Sequence, residues 1–127
     1  IIDSATRLNL ELTETIRDKN KKGSLLWVLD KCKTAMGSRR LRNCIEQPLI
    51  DKDSINLRLD AVEALVKNAI TREELREYLN PIYDLERLMS KISYKSANPK
   101  DLIAFRNSLS FLPAIKNQLS DFKTGIL

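Results

Sequence analysis

The stretch 24–49, SLLWVLDKCKTAMGSRRLRNCIEQPL, limits what this chain can fold into more than any other. It is the densest apolar run, and it holds the only Trp, Trp27, and both cysteines, Cys32 and Cys44. Leu25, Leu26, Val28 and Leu29 crowd into little more than one turn, which predicts a short apolar helix. A hinge over residues 33–37 follows. Next comes an amphipathic helix whose Leu41, Cys44 and Ile45 share one face at helical spacing. Pro48 ends that helix, because the residue before a proline is pushed out of the α region. Read alone, this stretch specifies a soluble helical domain and no chemistry.

The remaining segments follow the same rules. Asp3 or Ser4 caps a short helix over residues 4–10, with residues 10–12 extended. Residues 14–23 are polar and lysine-rich and read as a loop ending at Lys21-Lys22-Gly23. Asp51 or Asp53 then caps a helix whose stripe is Ile55, Leu59, Val62, Leu65, Val66 and Ala69, a regular 3.6-residue period. Arg58, Asp60, Glu63 and Lys67 line its outside, with Glu63 and Lys67 in the favourable i,i+4 order. Thr71 and Glu74 form a capping box ahead of a helix burying Leu75, Tyr78 and Leu79. Asn80-Pro81 restarts the chain into a helix over 81–92, with Ile82, Leu85, Leu88, Met89 and Ile92 inward. Asn98-Pro99 opens the longest helix, with the stripe Leu102, Phe105, Leu109, Leu112, Ile115, Leu119 and Phe122. Pro113 falls inside that stripe and predicts a kink or break over 111–113, since proline removes a donor and clashes with the preceding turn. The expectation is an all-α, irregular bundle of about six or seven helices in a single domain, 1–127.

Charge and composition exclude more than they assert. The formal net charge is +5, with Lys and Arg interspersed among Asp and Glu. That pattern fits a solvated surface better than a massed nucleic-acid footprint. Two cysteines with no CxxC and no histidine exclude the usual zinc spacings. Cys44, on the apolar stripe, reads as a small hydrophobe. There is no run of about 18 apolar residues and no signal pattern, so the expected compartment is the reducing cytoplasm. The opening Ile1-Ile2, without Met, suggests a piece of a longer protein.

Several stretches carry a resemblance. Leu29-Asp30, then Thr34 to Arg39 with Gly37 and Ser38, then Gln47-Pro48-Leu49 resemble the core region of the MutS family of DNA mismatch-repair proteins. Asp3, Thr6-Arg7 and Asn9 to Leu12 are similar to the pattern preceding that core. Arg58 with Asp60 to Leu65 matches a third block. Asp84-Leu85-Glu86-Arg87 followed by Asn98-Pro99 and Asp101 matches a fourth. The blocks cover nearly the whole chain; Tyr94-Lys95-Ser96 departs from the pattern. The resemblance implies the first part of a central helical core domain, in a protein that recognises mispaired bases and couples DNA binding to ATP hydrolysis. It further implies ATP and Mg in that parent, a homodimer, a MutL-type partner, mismatched duplex DNA, and contacts with other domains of the same MutS chain. Neither a GxxxxGK[ST] phosphate loop nor a Phe-x-Glu triplet occurs here. The expected role of this stretch is therefore scaffold and transmission, with no enzyme activity, catalytic residue, cofactor or metal of its own.

Three sharper readings are weighed against plainer ones. Arg39, Arg40 and Arg42, with Lys31 and Lys33, sit beside an expected helix N-terminus at Gly37-Ser38 and suit phosphate contacts. Solvation or ion pairing accounts for them more simply. Asp84 and Glu86 stand at i,i+2, which does not face two carboxylates at each other, so an ion pair of Asp84 or Arg87 is expected instead of acid/base work. Ser38 lacks any histidine to activate it. Two alternatives of another class remain: a free-standing helical protein–protein interaction module, pairing through residues 102–122, and a weak non-specific DNA-binding module.

Overall fold

The computed structural model describes residues 2–122 and Gly125. Among them there are eight helices and no strand: α1 (Ser4–Asn9), α2 (Leu25–Leu29), α3 (Ala35–Glu46), α4 (Lys52–Lys67), α5 (Ala69–Leu79), α6 (Leu85–Ser93), α7 (Pro99–Ser110) and α8 (Leu112–Leu119). The all-α expectation holds. The chain divides into two compact units, Ile1–Ile50 and Asp51–Leu127.

In the first unit, Asp3 caps α1, its carboxylate accepting from Thr6 N at 2.9 Å. The chain then turns through Glu11, held in the left-handed region at φ 48°. Leu12 and Leu26 form the buried apolar pair of this unit. Two backbone bonds bring them together, Leu25 N to Glu11 O at 3.0 Å and Leu26 N to Leu12 O at 2.9 Å. The expected loop over 14–23 closes on itself, with Thr15 N donating to Asn20 O. It re-enters helix through Gly23, whose φ of +98° is one that side chains rarely tolerate. Ser24, fully buried, caps α2: its Oγ accepts from Trp27 N at 3.2 Å and donates to Lys21 O at 2.7 Å. α2 packs on α3.

Two expectations fail here. Residues 10–12 are not extended, because Leu10 closes α1 and Glu11 turns into the left-handed region. The hinge over 33–37 is shorter than the sequence suggests, because Thr34 caps α3 and draws Ala35, Met36 and Gly37 into its first turn. The other end behaves as expected: Gln47, ahead of Pro48, sits outside the α region at φ −132°, ψ 71°. Leu41, Cys44 and Ile45 share a half-buried face.

In the second unit Asp51 caps α4, accepting from Ser54 N at 2.8 Å. The stripe read from the sequence is only partly inward. Ile55, Ala61, Ala64 and Leu65 face in, while Leu59, Val62 and Val66 are 57–61% exposed. The small Ala61 and Ala64 define the close-approach face, and the larger residues lie round the helix from it. The capping box at Thr71 is also displaced. α5 begins at Ala69, directly after Asn68, whose side chain donates back to Ala64 O and closes α4 instead of capping α5. Thr71 and Glu74 therefore lie inside the helix.

Asn80-Pro81 does not start a helix. Asn80 closes α5, Ile82 N donates to Leu79 O, and Tyr83 N is held by Ser108 Oγ at 3.0 Å. Asp84 then caps α6. Leu75, Ile82 and Leu88 are buried, Leu85 and Ile92 half-buried, and Met89 exposed. Asn98 and Asp101 form the reciprocal capping box of α7, at 2.9 and 3.0 Å. The expected interruption at Pro113 is a complete break, since α7 ends at Ser110 and α8 starts at Leu112. The longest helix is consequently α4. α7 turns Ala104, Phe105 and fully buried Ser108 inward, leaving its Leu102 and Leu109, and Leu112 at the start of α8, at 40–50% exposure. α4 packs on α5, α5 on α8, α6 on α7 and α7 on α8.

Candidate functional site

The residues that the sequence singles out between Leu29 and Arg42 come together around Asp30. This carboxylate closes α2 and is tied four ways. It accepts from the Lys21 ammonium, from Ser38 Oγ at 2.9 Å and from Cys32 N at 3.3 Å, while its own N–H donates to Leu26 O at 2.9 Å. Its side chain is 9% exposed. The Lys21 bond, helped by Ser38 and Cys32, holds the carboxyl down to about 2 against the opposing effect of burial. Burial and the same carboxylate push the Cys32 thiol up, so the thiolate is disfavoured and Cys32 is a poor nucleophile.

This knot fixes the start of α3. Thr34 Oγ1 accepts from Gly37 N at 3.1 Å and Thr34 O accepts from Ser38 N. A Cβ on Gly37 would stand 3.1 Å from Thr34 Oγ1 and 3.3 Å from Cys32 Cβ. Contrary to the expectation of free donors at Gly37-Ser38, both N–H groups are already used. Arg39 and Arg40 point out from α3 and are exposed. Arg42 binds Glu46 Oε1 at 2.9 Å, and Arg7 approaches the same carboxylate at 3.9 Å. The open hollow between α1 and α3 pairs these two arginines with Glu14 and Glu46, so its charge is balanced.

The other singled-out residues also fasten helix ends. Asp84 caps α6 through Arg87 N at 3.2 Å and pairs with the Arg87 guanidinium at 3.8 Å, as the i,i+3 spacing suggests. Glu86 is exposed in the first turn of α6. Asp101, besides its capping box on Asn98, takes Lys91 at 2.9 Å, and both interactions lower its pKa, the Asn98 N–H bond most. Pro48 and Leu49 lie in the exposed connector before α4. The sequence reading missed the two fully buried serines, Ser24 and Ser108. Ser108 takes Tyr83 N while donating to Ala104 O at 2.8 Å. Its only trace in the sequence is a small residue on the inner face of a helix. Among the described residues no cluster of His, Cys, Asp or Glu is placed to hold a metal ion, and no helix is long and apolar enough to cross a membrane.

These contacts define a class: an all-α segment whose most distinctive residues cap and knot helices. The family model for MutS domain III matches residues 5–126. The chain therefore belongs to the MutS family. It is 67% identical, over all 127 residues, to the DNA mismatch repair protein MutS of Lachnoclostridium phytofermentans. It is 54% identical over the same span to that of Alkaliphilus oremlandii, and 54% over 125 residues to that of Clostridium tetani. The chain spans 14% of the length of each of these relatives.

Proposed function

We propose that this chain is the first part of a single helical core domain in a cytoplasmic DNA mismatch-repair protein, acting there as a scaffold and transmission element. The observation that carries the reading is the use made of the family-like residues. Asp30, Thr34, Gly37, Ser38, Asp84, Asn98 and Asp101 all fix helix termini, and the hydroxyl–carboxylate contact among them, Ser38 on Asp30, ties the start of α3 to the end of α2. Such an element passes on strain because its packed ends shift between discrete arrangements. Recognition of mispaired bases, ATP hydrolysis with Mg, homodimer formation and engagement of a MutL-type partner belong, in this reading, to parts of the protein outside residues 1–127.

The role is tested in the whole protein by Leu41→Asp, which places a carboxylate on the half-buried face of α3. Mismatch-stimulated ATP turnover should fall towards the DNA-free rate while the protein stays folded by circular dichroism. Full stimulation in a folded variant contradicts the role. For Arg39, Arg40 and Arg42 the reading adds weak, sequence-independent phosphate contacts. Arg40→Glu with Arg42→Glu should remove low-salt duplex binding by this segment, and unchanged binding rejects the contacts.

A further inference from the structure

The second unit is built in two parts. α4 packs on α5 and α5 on α8, while α6 packs on α7, and the main pairing between the two groups is α7 with α8. The α6–α7 hairpin is fastened at both ends. At its root the Ser108 hydroxyl holds Tyr83 N at 3.0 Å, one residue ahead of the Asp84 cap. At its tip Lys91 meets Asp101 at 2.9 Å, and Lys95 N and Ser96 N bond back to Ile92 O and Lys91 O. A hairpin tied in this way moves as one body.

The polypeptide passes between the two parts twice. The first passage falls between Ile82 and Tyr83: Ile82 N donates back to Leu79 O of α5, whereas Tyr83 N is held by α7. The second passage is Phe111. Its N–H donates back to Ser108 O at 3.3 Å, and its carbonyl accepts from Ile115 N at 3.1 Å. Neither of these bonds joins α7 to α8, and Pro113 has no N–H to offer Leu109 O. The helical ladder is cut where a proline kinks a helix.

The two passages also lie side by side. Asn80, Pro81, Ile82, Tyr83, Asn107 and Phe111 line one open hollow of about 360 Å³. Two backbone crossings at one spot define an axis, and the hollow beside them leaves room to turn that a close-packed interior does not. Hinges fall at a few loop or element-terminal residues that absorb the dihedral change.

We infer that α6 and α7 form a rigid arm that swings against α4, α5 and α8 about a hinge made of residues 82–83 and Phe111. α7 has twelve residues and so is about 18 Å long, and a swing of about 15° carries the tip of the arm about 5 Å. The arm is the moving part of the transmission reading and rests on that reading for what drives it. Distances report the arm and ATP turnover reports the reading, so either can fail alone.

The experiment is pulsed electron–electron spin resonance on the full-length protein. Nitroxides are placed in pairs on genetically encoded ketone side chains, leaving Cys32 and Cys44 in place, and excess unlabelled protein keeps every distance intramolecular. Lys52, Glu77, Ser93 and Arg106, all exposed, take the labels. The pair 52/77 lies within the base, 93/106 within the arm, and 77/93 across the hinge. Each pair is read without ligand, with a non-hydrolysable ATP analogue and with mismatched duplex DNA. The expected result is one narrow distance in every state for 52/77 and 93/106. For 77/93 the hinge predicts two distances in one state, or a shift of about 5 Å between states. A 77/93 distance as narrow and constant as the other two overturns the hinge. So does a 93/106 distance that broadens or shifts together with it, since the arm is then not one body.

Discussion

The two units solve the same problem with different materials. Among its described residues the unit Ile1–Ile50 buries Leu12 and Leu26 alone as large apolar groups and relies on polar ties: the Ser24 cap, the Asp30 knot and backbone bonds between a loop and a five-residue helix. The unit Asp51–Leu127 buries Ala61, Leu75, Ile82 and Leu88 between longer helices and, among its described residues, uses one buried polar tie, Ser108. Their charge differs as well. Ten Lys and Arg face six Asp and Glu in the first, whereas twelve face eleven in the second. A small apolar core leaves a fold dependent on whether each buried polar group finds its partner. The first unit should therefore respond most to loss of a single contact and to acid, and the second to loss of packing or of Ser108.

The largest effect is expected at Leu26, 3% exposed and half of the first unit's apolar core. Leu26→Ala should cost about 3 kcal/mol in urea unfolding, from lost transfer free energy plus the cavity left behind. A loss below about 1 kcal/mol would show that the polar ties carry that unit almost alone. Next is Ser108→Ala, which leaves the Tyr83 N–H unpaired against α7 and should cost about 2 kcal/mol. It should also speed amide exchange at Tyr83 before other sites in its unit. Uniform exchange across α5 to α7 would argue against a local tie.

Acid comes third. Asp30 has a folded pKa depressed to about 2, so its contribution is complete above the unfolded value near 3.8 and is lost as pH falls from about 4 to about 2. With Lys21 half exposed and screened, the contribution is at most about 2 kcal/mol. Asp30→Asn should flatten the acid limb of the stability curve over that window, as read by urea midpoints at successive pH values. An unchanged limb rules out the knot as its source. The smallest effect belongs to Arg42→Ala, which removes an exposed i,i+4 pair with Glu46 and should cost no more than about 0.5 kcal/mol. A larger cost would mean that Arg7 and Arg42 act on Glu46 as one network.

Much of this was legible in the sequence because caps are local. Asp3, Asp51, Asn98 with Asp101, and the stops at Pro48 and Pro113 each depend on residues within a few positions. The errors have a common cause too. Thr71 and Asn80 carry good capping chemistry, but α5 starts at Ala69 with no side-chain cap, and α6 starts behind Asp84, where Ser108 holds the neighbouring Tyr83 N–H and sets the path. Periodicity located the helical segments and misjudged which face of α4 and α7 turns inward. Small residues, Ala61 and Ser108, sit at the centre of the packed faces, and hydrophobic counting passes over them. The Asp30 knot joins Lys21 to Ser38 across seventeen positions, beyond the reach of any local pattern, although the resemblance marks two of its members.

The central claim is that these helices transmit and do not read DNA. The most direct test is fluorescence anisotropy of the 127-residue chain against matched and G·T-mismatched duplexes at low and moderate salt. The account predicts weak binding that ignores the mismatch and vanishes as salt rises. A clear preference for the mismatched duplex would contradict it and place recognition within these helices.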